Sequence, residues 1–151
     1  MSSSRPAHDP TARRILALAR RYLRYGTRST AQLRAYLDAR HLPPSLRDAL
    51  IAQCMREGLL DDAACTKLWA TQLRERGYAL GAIREQLLEK GLPLDRIESA
   101  LAALRVEADD AQVAAALVRA RRSSQPQRLA RWLAARGFDE DVIAELVSKN
   151  V

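Results

Sequence analysis

The stretch RLARWLAARGF, residues 128–138, places Leu129 and Leu133 four apart and closes on Arg136-Gly137-Phe138. Two other stretches share the plan. QLRAYLDARHL, residues 32–42, has Leu33, Leu37 and Arg40-His41-Leu42; AIREQLLEKGL, residues 82–92, has Ile83, Leu87 and Lys90-Gly91-Leu92. Apolar positions four apart share one helix face, and a cation followed by Gly marks a helix C-terminus. The copies stand 50 and 46 residues apart, enough for a few helices per unit and too little for an independent large domain. The chain therefore reads as a tandem repeat.

Three units of this size each bury little alone and depend on neighbours, which predicts an elongated array rather than one globule. The 48% apolar content is largely Ala and Leu, with six Gly, six Pro and one Phe. Such a composition favours helices, because Ala and straight-chain residues lose little rotamer freedom there. The expected fold is all-α: three tandem three-helix repeats over 11–60, 61–106 and 107–151, after a disordered tail over 1–10.

Helix boundaries follow from caps and stripes. Asp9-Pro10 starts a first helix with Ile15, Leu16, Leu18, Ala19 and Leu23 inward, ended by Gly26. Ser29 and Gln32 have capping-box spacing before Leu33, Tyr36 and Leu37, and Pro43-Pro44 stops that helix. A third helix from Pro44 to Arg56 buries Leu46, Leu50, Ile51 and Cys54, with Gly58 as its cap. In the second unit Asp61-Asp62 precedes Cys65, Leu68, Trp69 and Leu73. Ile83, Leu87 and Leu88 line the next helix, and Ile97, Leu101 and Leu104 the one fading near Arg105. In the third unit Asp109-Asp110 precedes Val113, Ala116, Leu117 and Ala120. Ser124 and Gln127 repeat the capping-box spacing before Leu129, Trp132 and Leu133, and Asp139-Glu140-Asp141 starts a helix with Val142, Ile143, Leu146 and Val147.

Function classes narrow quickly. No run approaches the roughly 20 apolar residues of a membrane span, and Met1–Pro10 is too polar for a signal peptide, so a cytoplasmic protein without membrane contact is expected. Cys54 and Cys65 lack metal or redox spacing and read as buried, reduced thiols. His8 lies in the tail, and His41 stands where the other copies carry Gly, as a left-handed cap. The acidic trio at 139–141 is explained by its helix start. Metalloprotease, phosphate-loop and nucleophile-elbow motifs are all missing; no enzyme, cofactor or metal is expected.

Binding surfaces remain. The formal net charge of +7 is concentrated in residues 11–61, with ten Arg/Lys against four Asp/Glu, while 62–106 carries a balance of +1 and 107–151 is neutral. Arg outnumbers Lys heavily, which suits phosphate or carboxylate recognition. Arg20, Arg21, Arg24 and Arg28 gather near the end of the first helix with Tyr22 and Tyr25 between them, and Arg34 follows on the second. Such a basic patch with interleaved aromatics can track a phosphate backbone. Arg119, Arg121, Arg122, Arg128 and Arg131 form a second patch. Cations in a last helical turn are also stabilising in themselves, but the recurrence at comparable corners favours binding. Pro43-Pro44 and Pro93 tell against a helix-turn-helix reader.

One family resemblance emerges from an ordered set of blocks. Glu57-Gly58-Leu59-Leu60-Asp61-Asp62-Ala63, Arg76-Gly77-Tyr78, Ile83-Arg84, Lys90-Gly91-Leu92, and the run Arg128 to Phe138 followed by Val142-Ile143 together resemble the bacterial RecX regulatory family over about residues 11–148. The resemblance implies a curved chain of three-helix repeats, a monomer, lying in the groove of the RecA filament on single-stranded DNA. It further implies inhibition of RecA strand exchange, ATP hydrolysis and co-protease activity in recombination and SOS repair. Arg74, Arg76, Arg84 and Lys90 match the pattern in the middle repeat. Ala79-Leu80-Gly81-Ala82, Cys65 and Gln86 depart from it and leave that repeat less basic, which moves the expected contact to the first. A DNA-binding protein that competes for DNA, and a helical scaffold for another acidic partner, are the alternative readings.

Overall fold

The computed structural model describes residues 9–121 and 125–149. Among these every regular element is helical: α1 Pro10–Arg24, α2 Thr30–Asp38, α3 Pro44–Arg56, α4 Asp62–Glu75, α5 Leu80–Glu89, α6 Leu94–Glu107, α7 Asp110–Ala120, α8 Pro126–Ala135 and α9 Glu140–Lys149. The all-α expectation holds. Pro10 belongs to α1 rather than to a tail, and α6 runs two residues past Arg105. The chain forms two compact units, residues 1–65 with 90–92 and residues 66–89 with 93–151.

In the first unit α1, α2 and α3 pack on one another around Ala19, Leu23, Leu33, Leu37, Leu50, Ile51, Cys54 and Leu60. The helices start where donors are satisfied. The Asp9 carboxylate accepts from the Thr11 amide at 2.9 Å. Ser29 Oγ accepts from the Gln32 amide at 3.1 Å, and Gln32 Oε1 from the Ser29 amide at 3.0 Å, closing the capping box. Leu33 and Leu37 are fully buried, each contributing about 1.5–3 kcal/mol of burial. In the second unit α5 packs on α6, and α8 and α7 both pack on α9. One of its cores comprises Ala79, Ala114, Leu129, Leu133 and Phe138, and Ile83, Leu87, Ile97, Leu101 and Leu104 are buried as well.

Several inward assignments change. Leu68 and Leu88 are 43% and 45% exposed, because Thr66, Ala70 and Leu73 already fill the inner face of α4 and Ile83 and Leu87 that of α5. Helix α8 begins at Pro126 with Gln125 as its cap and no side-chain capping bond; the expected cap, Ser124, lies outside the described residues, as does the tail over 1–8. A capping box that the sequence reading missed joins Asp109 and Gln112 at α7.

The charged-Gly-apolar blocks have a shared geometry. His41, Gly91 and Gly137 adopt φ of 56°, 76° and 88°, the left-handed cap expected there. In the first unit a Cβ built on Gly91 would lie 2.5 Å from Ala31 Cβ. Ser29 Oγ donates to the Lys90 carbonyl at 2.9 Å, and the Thr30 amide donates to Asp62 Oδ1 at 2.8 Å. In the second unit the same joint recurs. A Cβ on Gly137 would lie 2.6 Å from Ala82 Cβ, the Ala79 amide donates to the Arg136 carbonyl at 2.9 Å, and the Leu80 amide donates to Asp110 Oδ1 at 3.1 Å.

Gly91→Ala combines left-handed strain with a clash against a helix start, and should cost about 2 kcal/mol or more. His41→Gly, at an exposed position already holding a side chain, should move stability by less than about 1 kcal/mol. Urea unfolding midpoints of the two variants check this; equal shifts would show that the joint tolerates a side chain.

Candidate nucleic-acid and partner interface

In the first unit α1, its connection to α2, and α2 itself bring arginines and tyrosines together. The Tyr22 and Tyr36 rings stack with centroids 4.3 Å apart and planes 17° from parallel. Arg28 Cζ lies 4.8 Å from the Tyr22 centroid and Arg40 Cζ 3.6 Å from that of Tyr36. With a ring on each inner face, the two guanidiniums must cover the outer faces, giving a column Arg28, Tyr22, Tyr36, Arg40 held by quadrupole attraction. Beside it lies a cavity of ≈ 280 Å³ lined by Leu18, Arg21, Tyr22, Tyr25, Arg28 and Tyr36. Tyr25 is 75% exposed, with Arg21 Cζ 5.7 Å from its ring.

The cations divide by partner. Arg20 makes a two-pronged contact with Glu57, Arg47 bonds Asp38 and Asp48 at 3.0 Å each, and Arg84 grips both Glu98 oxygens at 2.5 and 3.1 Å. Arg74, with its side chain only 8% exposed, bonds Asp110 at 2.6 Å, the Ala108 carbonyl at 2.7 Å and the Tyr78 carbonyl at 3.1 Å. These four cations serve the fold. Arg21, Arg24 and Arg34 are exposed without a carboxylate contact among the described residues, and Arg28 keeps its Nε buried with no hydrogen-bond acceptor. The first-unit patch is thus narrower than the sequence suggested. It loses Arg20 and gains Tyr36 and Arg40.

The second unit holds another aromatic and arginine cluster. Arg121 Cζ and Arg136 Cζ lie 4.4 and 4.7 Å from the Trp132 ring, and Arg136 is 5.4 Å from Tyr78 while donating to the Arg76 carbonyl. Arg119, Arg128 and Arg131 are exposed, as is Arg76, and Lys90 is half-buried with its carbonyl held by Ser29 in the first unit. Arg122 lies outside the described residues. Arg40 and Arg136 escaped the sequence reading, although a signal existed: each follows an aromatic residue, Tyr36 or Trp132, by four positions, one helical turn.

The remaining chemistry is structural. Both cysteines are buried and free; burial pushes each thiol above its ordinary range, and Cys65 Sγ donates to the Arg28 carbonyl at 3.2 Å. Among the described residues there is no cluster of metal-ligating side chains and no helix long and apolar enough to cross a membrane.

No protein-family model matches the chain. It is 34% identical over 130 residues to the regulatory protein RecX of Thermus thermophilus, covering 86% of this chain and 87% of that protein. To the regulatory protein RecX of Leptothrix cholodnii it is 30% identical over 154 aligned positions, covering 97% and 92%. Its 86-residue match to the longer RecX of Lactobacillus delbrueckii, at 35% identity, spans only 32% of that protein. Its fold is similar to the crystal structure of RecX from Lactobacillus salivarius, with a TM-score of 0.69 over 89% of this chain and 92% of that one, at 18% identity.

Arg74→Ala should cost about 3 kcal/mol by stranding Asp110 and two carbonyls, whereas Arg128→Ala should leave the unfolding midpoint unchanged; chemical denaturation distinguishes them. Acid adds a second check. The Arg20 and Arg84 hydrogen bonds hold the Glu57 and Glu98 carboxyls below their ordinary range. Since the folded values lie below the unfolded ones, the stability they contribute is present at neutral pH and is lost as pH falls below about 4. Glu57→Gln should flatten that acid limb, and an unchanged profile from pH 6 to pH 3 would show that the pair contributes nothing.

Proposed function

This chain belongs to the RecX family of regulatory proteins, and from that premise we propose that it regulates the RecA recombinase by binding the RecA filament on single-stranded DNA. In this reading it acts without catalysis, by occupying the filament groove and restraining strand exchange, ATP hydrolysis and co-protease activity. The observation that carries the proposal is the division of the cations. Arg21, Arg24, Arg28 and Arg34 stand on one unit without carboxylate partners among the described residues, while Arg20, Arg47, Arg74 and Arg84 are used internally. Unpaired guanidiniums beside tyrosines suit a surface made of phosphate and protein carboxylate. Arg119, Arg128 and Arg131 on the second unit, with Arg76, supply a secondary contact in the same scheme.

Titrating the protein into RecA turning over ATP on single-stranded DNA should lower hydrolysis near stoichiometry. The double charge reversal Arg21→Glu with Arg24→Glu should raise the half-inhibitory concentration about tenfold or more, given ~1.5–3 kcal/mol for a charged hydrogen bond, and more than Arg128→Glu with Arg131→Glu does. Unchanged hydrolysis at stoichiometric excess would refute the proposal. Equal losses from both pairs would spread the contact over both units.

A further inference from the structure

Two of the first unit's arginines without a carboxylate contact among the described residues, Arg21 and Arg28, line a cavity. Its volume of ≈ 280 Å³ lies just under the roughly 300–1,000 Å³ of pockets for drug-sized ligands, so it suits a single ring system. Half of the lining is aromatic, with Tyr22, Tyr25 and Tyr36 beside Leu18, Arg21 and Arg28 and no carboxylate. Tyr22 and Tyr36 already spend their faces on each other and on Arg28 and Arg40. Tyr25 is the aromatic whose ring is mostly open to solvent. Arg28, on the lining, keeps its Nε buried without an acceptor. A ligand answering all of this has a planar π-face with anionic oxygens alongside it.

We propose that this cavity seats an unpaired base of a single nucleic-acid strand against Tyr25, with Arg21, Arg24 and Arg28 on the adjoining phosphates. A protein carboxylate would satisfy the arginines but would leave the tyrosine face unused. A duplex hides its base faces in its own stack, so the site discriminates for single strands. The site takes single-stranded DNA as ligand from the reading above but needs no RecA. Its failure is therefore distinguishable from a failure of RecA regulation, which ATP hydrolysis measures separately.

The test uses the full chain, without RecA, and fluorescence anisotropy of a labelled twenty-nucleotide thymidine strand beside an abasic strand of equal length. The thymidine strand should bind about tenfold more tightly than the abasic one, the scale of one base stacked on one ring. Tyr25→Ala should abolish that advantage, and Tyr25→Phe should keep it; the position is exposed, so circular dichroism of the variants should match the parent. Three neutralised phosphates should give a slope of log affinity against log salt of about −2. Equal affinity for both strands, or an advantage that survives Tyr25→Ala, overturns the base-stacking site and leaves a plain anion surface. Displacement of the strand by thymidine monophosphate at equal nucleotide concentration overturns the strand assignment in favour of a mononucleotide pocket.

Discussion

Much of this fold depends on one contact: a backbone without a side chain closing on the start of another helix. In the first unit Gly91 turns left-handed and comes so near Ala31 that a Cβ would stand 2.5 Å from that alanine's own. The approach brings the Lys90 carbonyl to Ser29 Oγ, while Asp62 takes the Thr30 amide. The start of α2 thereby has its Thr30 amide satisfied from outside the helix, and the Lys90 carbonyl is satisfied in return. One glycine thus lets the Lys90 carbonyl, the start of α2 and an aspartate meet in direct hydrogen bonds. The recurrence of the set at Gly137, Ala82, Ala79, Arg136 and Asp110 makes it a rule of assembly rather than an accident of one turn.

The rule also explains the exceptions. At position 41 the left-handed conformation remains but the residue is His, exposed to solvent. His tolerates φ of 56° at a cost of about 1 kcal/mol, which is acceptable where no helix start closes on the Cβ. At the start of α8 the residue corresponding to Thr30 and Leu80 is Pro126. Proline carries no amide hydrogen, so an aspartate placed as Asp62 and Asp110 are would find no donor. Both substitutions remove one half of the joint, His41 the close approach and Pro126 the donor.

Legibility in the sequence followed the range of the interactions. The helix starts at Asp9-Pro10 and Ser29 and the left-handed position at His41 could be read because caps and φ preferences act within a few residues. Leu68 and Leu88 were misplaced because a 3.6-residue period leaves about a third of a helix eligible for burial, and neighbouring helices choose among the eligible residues; small Thr66 and Ala70 won on α4. The joint was not legible at all, since Gly91 and Ala31 are sixty residues apart and neither type announces a partner. Sequence blocks could nominate Arg74 as a binding residue, but its commitment to Asp110 and two carbonyls depends on pairings that only the folded chain displays.

That last point bears on how a basic protein of this size should be read. Net charge counts Arg20, Arg74 and Arg84 equally with Arg24 and Arg28, yet a guanidinium bonded to a carboxylate is electrically quiet beyond a few ångströms. Subtracting the pairs leaves a smaller set, of which Arg21 and Arg28 line a cavity with Tyr25 in the first unit. The charge excess of residues 11–61 falls on the same unit as that set, and the aromatic column gives the set its direction: Tyr22 and Tyr36 hold Arg28 and Arg40 at the ends of a stack. Arginines held on rings lose less rotamer freedom when they meet an anion than free surface arginines do. The same number of positive charges therefore binds more tightly when tyrosines hold them.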